Sequence, residues 1–83
     1  MNQLARSPKQ MGAIIQAARR RLCMNQSQLA DLAGLRQETV SNIEGGLSGA
    51  KLSSIFNILA ALDLEITVQT RSKSSAADIQ AIF

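Results

Sequence analysis

Gln26, Arg36, Gln37, Glu38, Ser41 and Asn42 concentrate hydrogen-bonding chemistry in one stretch, QSQLADLAGLRQETVSNIE, residues 26–44. A carboxamide couples an acceptor with donors and fits the N6 and N7 edge of adenine. Arginine fits guanine or clamps a phosphate. Glutamate repels phosphate yet accepts from the N4 amine of cytosine. Gln37 falls where a helical segment opens, the end that reaches farthest into a groove, and Asn42 has the same use if its Cβ points outward. Gln26 falls in the first turn of the preceding segment, where a phosphate would also meet the positive end of that helix. Lys51, with Lys9, Arg20 and Arg21, is a candidate for a phosphate-binding rim. Each of these residues also has a plain alternative as a solvated polar group on a surface helix.

The elements that must position them are written in the apolar residues between. Leu29, Ala30 and Ala33 share one face of the first segment, and Leu35, Val40 and Ile43 share one face of the second. Ala30 supplies the lack of bulk that steeply crossing helices need. Gly34 reaches the left-handed conformation that a sharp turn after a helix demands. This is the spacing of a helix-turn-helix, with the polar face of its second helix suited to the DNA major groove. Arg19, on the helix before the motif, and Glu44, at the end of the motif's second helix, interrupt otherwise apolar stripes where the two helices must pack together. They read as a partly buried structural ion pair, costly to break on one side only.

Around the motif the expected fold is mainly α, with four to five helices. Ser7-Pro8 is a helix start. The helix runs to about Leu22, with Met11, Ile14, Ile15, Ala18 and Leu22 as its buried stripe and Arg19–Arg21 at its negative end. Asn25 caps the next helix, residues 26–33, and the third spans about 37–44. Gly45, Gly46, Ser48 and Gly49 make a loop. A fourth helix runs to about Leu62, with Leu52, Ile55, Phe56, Leu59 and Leu62 facing inward. Residues 64–70, LEITVQT, then alternate apolar and polar with the period of a strand. One strand cannot satisfy its own backbone, so Leu64, Ile66 and Val68 are expected to pair with a second copy across a twofold axis. An unpaired extended tail is the alternative. The chain divides into residues 1–63, a dimerising strand at 64–71 and a tail at 72–83. In the tail, Ile79, Ile82 and Phe83 form a small apolar face.

Composition narrows the classes of function. The 83 residues hold room for one domain, and their 46% hydrophobic content comes with two Phe and neither Trp nor Tyr, which favours a helical core. Nine Lys and Arg against six Asp and Glu give a net charge of +3. That is weak alone, but beside a helix-turn-helix it points to a polyanion. Without histidine, a second cysteine or paired carboxylates, neither a metal site nor catalysis is expected, and no cofactor or small-molecule substrate. Lone Cys23 excludes an intrachain disulfide and reads as a partly buried structural thiol. No apolar run approaches a membrane span and no leader opens the chain, so a soluble, cytoplasmic protein is expected.

Residues 11–62 resemble the Cro/C1-type (XRE, lambda repressor-like) helix-turn-helix family. The resemblance is carried by Met11-Gly12, Arg19, Asn25-Gln26, Leu29-Ala30, Ala33-Gly34, Val40-Ser41, Ile43-Glu44 and the run 52–62. It implies a bundle with the third helix in the major groove, Gln26 on phosphate, Gln37 as leading base reader and Arg19–Glu44 tying helices one and three. The stretches GLRQETVSNIE (34–44), LSSIFNILAALDL (52–64) and EITVQT (65–70) are similar to the HipB-like antitoxins of HipBA-type toxin–antitoxin systems. That similarity implies a homodimeric autorepressor with an inverted-repeat operator, the two recognition helices lying roughly 34–36 Å apart. It further implies binding to a HipA-like serine/threonine kinase toxin, for which Ile79, Ile82 and Phe83 are candidate contacts. Two alternatives stay open: a free-standing phage-like repressor without a toxin partner, and an interaction module that has lost DNA binding.

Overall fold

Ser7 opens the first helix, α1 (Pro8–Arg21), by accepting a hydrogen bond from the Gln10 amide at 3.1 Å, with Pro8 preset for the first turn. This computed structural model describes residues 3–71. Three further helices follow: α2 (Gln26–Ala33), α3 (Gln37–Glu44) and α4 (Leu52–Ala61). Asn25 and Gln28 start α2 with reciprocal 2.8 Å bonds, each side chain accepting from the other residue's backbone amide.

Three of the helix ends share one geometry. Leu35 donates to Ala30 O, Met24 to Arg19 O and Leu64 to Leu59 O, each around a residue with positive φ. Gly34 holds that position after α2 at φ 70° without steric cost. After α1 and α4 it is held by Cys23 at 57° and Asp63 at 59°, where a Cβ crowds the backbone. Cys23→Gly should therefore raise the unfolding free energy, by up to about 1 kcal/mol, read from urea denaturation. A loss of stability would show that the Cys23 side chain contributes more than its backbone strain costs.

The core forms where α2 packs on both α3 and α4 while α1 packs on α3. Ile15, Leu29, Val40 and Ile58, one from each helix, are fully buried, surrounded by Ala18, Ala30, Ala33, Ile43, Leu59 and Leu62. The α1–α3 approach is very close: a Cβ on Gly12 would lie 2.3 Å from Ile43 O and 2.7 Å from Glu44 O. The N-terminal end of α1 similarly meets the loop after α3, where Gly46 sits against the Lys9 backbone.

Several sequence expectations need correction. Leu22, assigned to the buried stripe of α1, lies past the helix end and is exposed. Leu52 and Phe56 also face outward; the buried face of α4 is Ile58 and Leu59, with Ile55 half-buried and Leu62 buried just past the helix end. Cys23 is exposed rather than partly buried, because the tight turn after α1 lifts it off the core.

Residues 64–71 carry no helix and no strand ladder in this single chain. Leu64 packs against the core, whereas Ile66 and Val68 are exposed, Val68 at 93%. Ile79, Ile82 and Phe83 lie outside the described residues.

Candidate nucleic-acid interface

The interface is built from a buried charge outward. Arg19 on α1 grips Glu44 at the end of α3 with two bonds: Nε donates to Oε2 at 2.6 Å and Nη2 to Oε1 at 3.0 Å. Its remaining nitrogen, Nη1, donates to Met24 O at 2.8 Å, tying in the turn before α2. Both side chains are almost wholly inside, at 10% and 2% exposure. Burial alone would push the Glu44 carboxyl up. Hydrogen bonds from Arg19, Gln26 and Gln16, with the Arg19 charge, reverse that and hold it below its ordinary value. The hydrogen bond to Glu44 raises Arg19 in turn, against desolvation.

Gln26, first residue of α2, reaches in to donate from Nε2 to Glu44 Oε1 at 3.0 Å. Gln37, first residue of α3, donates from Nε2 to Gln26 Oε1 at 2.6 Å. The side chains that open α2 and α3 are therefore joined to each other. Gln26 is half-buried and keeps a second amide hydrogen beyond the one given to Glu44; Gln37 is exposed.

Arg36 is the N-cap of α3, and Glu38, Ser41 and Asn42 are exposed along it, opposite Val40, Ile43 and Glu44. Glu38 lies in the first turn, where a carboxylate stabilises the helix whatever else it meets. Lys51 is exposed at the N-cap of α4. The bridging place of Gln26, the contribution of Gln16 and the approach at Gly12 were missed in the sequence. The i,i+4 spacing of Gly12 and Gln16 on the face of α1 that also carries Arg19 was the available signal. Among the described residues no group of three or more metal-ligating side chains forms, and no helix is long and apolar enough to cross a membrane.

Residues 15–69, which include the second half of α1 with Arg19 and all of α2, α3 and α4, match the helix-turn-helix family HTH_3. Antitoxin HipB of Escherichia coli strain K12 is 34% identical over 62 residues, 75% of this chain and 70% of that one. The chain belongs to the HTH_3 helix-turn-helix family. HipB of Escherichia coli O6:H1 strain CFT073 is also 34% identical over 62 residues, a match spanning about two thirds of that protein, 66%. Among solved structures, this HTH_3 chain is similar to a HipA–HipB–O2–O3 complex, with TM-score 0.79 and 31% identity over 86% of this chain and all of that one. It is equally similar to a HipB–O4 20mer complex, with TM-score 0.79 and 31% identity over 86% of this chain and all of that one. The fold of these HipB-containing structures is thus shared over 86% of this chain.

Proposed function

We propose that this chain is the antitoxin of a HipBA-type pair: a homodimeric, sequence-specific DNA-binding protein that represses its own operon and neutralises a HipA-like serine/threonine kinase. The observation that carries the DNA half is the Gln37–Gln26 bridge, which aligns two helix N-termini behind the exposed polar face of α3. The toxin half is supported by likeness to a HipB chain in complex with HipA, over all of that chain. In this reading, Gln26, Lys51 and the helix N-termini hold phosphates, while Gln37, Arg36, Glu38, Ser41 and Asn42 face the bases. Residues 1–63 form the DNA-binding unit, with no catalytic role, and it acts in the cytoplasm. The tail, 72–83, contributes Ile79, Ile82 and Phe83 to the kinase.

Dimerisation belongs to residues 64–71. Ile66 and Val68 are exposed apolar residues in a segment with no ladder of its own, and a twofold partner strand would supply both needs. Val68→Pro removes a ladder donor and should convert the dimer to monomer in sedimentation equilibrium; a variant that stays a tight dimer rules out strand pairing. For the function as a whole, the tagged chain is captured from its native cell, with bound proteins identified and bound DNA sequenced. Recovery of a kinase-like protein with the chain's own promoter is expected. DNA alone would leave a free-standing repressor, and neither would leave an interaction module.

A further inference from the structure

The contacts from Arg19 to Gln37 have a direction. A guanidinium can only donate and a carboxylate can only accept, whereas a carboxamide does either, according to which way it is turned. Glu44 Oε1, already held by Arg19, therefore obliges Gln26 to present Nε2. That leaves Gln26 Oε1 toward Gln37, which must answer with its own Nε2. Gln37 is left with Oε1 on the other branch of its amide and one spare hydrogen on Nε2. Adenine offers a donor at N6 and an acceptor at N7, matching that pair; guanine offers acceptors at both O6 and N7.

We propose that Glu44 is a positioning residue for base selection: its buried, acceptor-only carboxylate fixes the amide polarity of Gln26, and through it turns Gln37 toward adenine and against guanine. The inference rests on the DNA-binding reading above. In Glu44→Gln the side chain keeps its shape, but one of the two oxygens that accept from Arg19 becomes an NH2; where that is the Oε1 position, it gives up the Arg19 Nη2 bond and presents a donor to Gln26. Gln26 then reverses, Gln37 accepts from it, and both hydrogens of Gln37 Nε2 become free for guanine. With either orientation open, discrimination collapses.

The test uses a pool of duplex oligonucleotides with a randomised inverted repeat. Selection by the wild-type chain and by Gln37→Ala identifies the base pair whose preference depends on Gln37. Affinities for its adenine and guanine versions are then compared for wild type, Glu44→Gln and the double variant Arg19→Met, Glu44→Met, each checked for a cooperative melt. The double variant leaves no lone buried charge, so it keeps the fold while giving Gln26 no carboxylate. The adenine-over-guanine ratio should fall about tenfold in both, with preferences at other base pairs retained. A purely structural Glu44 would weaken all duplexes alike and leave the ratio intact, and that result overturns the proposal. A ratio that survives in both variants but vanishes in Gln37→Ala overturns the positioning role alone. No base preference in the wild-type chain overturns the DNA-binding reading together with it.

Discussion

Glu44→Leu in a chain that keeps Arg19 should lower the unfolding free energy by about 3–5 kcal/mol, a large part of what a domain this size possesses. The loss comes from Arg19. Its guanidinium stays at 10% exposure with a single carbonyl partner, Met24 O, where it had a bidentate carboxylate. Replacing both partners, Arg19→Met with Glu44→Leu, removes the stranded charge and should recover most of the loss. Urea denaturation of the three proteins measures this, and equal stability of the single and double variants would refute it. The pair also gives a pH signature. Glu44 is held below its ordinary value of 4.5, so the folded chain binds its proton less readily than the unfolded chain. Its contribution is complete above that ordinary value and is lost as pH falls through the lower folded one. The double variant should lack this part of the acid destabilisation.

Gly12→Ala should lower stability by about 2–3 kcal/mol, although alanine is the better helix former by about 1 kcal/mol. Sterics decide the sign. The new methyl would meet Ile43 O at 2.3 Å and Glu44 O at 2.7 Å, and both are backbone atoms of α3 that cannot rotate away. Relief requires α1 and α3 to separate, which pulls Glu44 from Arg19 and shifts Gln37 relative to Gln26. A drop in melting temperature together with weaker DNA binding is expected. A rise in melting temperature would mean that the two helices are not packed this closely.

What the sequence made legible follows from how local each signal is. Ser7, Asn25 and Gly34 act on their own helix ends, and they identify those ends directly. Arg19 and Glu44 stood out because charges inside apolar stripes need a partner. The face of α4 was not legible: Leu52, Ile55, Phe56, Ile58, Leu59 and Leu62 offer two overlapping apolar stripes, and periodicity alone does not choose between them. Packing on α2 chose Ile58 and left Leu52 and Phe56 outside. The Gln26 bridge was hidden for another reason. It joins residues from three helices, and nothing at Gln26 itself distinguishes a side chain turned inward to Glu44 from one turned outward to a phosphate. Strand pairing involves a second chain: the alternation of residues 64–70 is its signal in the sequence, and a single folded copy has no ladder there.

Fluorescence anisotropy with a labelled duplex from the chain's own promoter, carrying its inverted repeat, addresses the central claim most directly. A scrambled duplex of the same length and composition is the reference, at one fixed salt concentration. The chain should bind the promoter duplex at least about 10³-fold more tightly, and Gln37→Ala should cost that duplex about 1–3 kcal/mol while leaving the scrambled one unchanged. Equal affinity for the two duplexes, unaffected by Gln37→Ala, would contradict the reading of α3 as the helix that reads DNA.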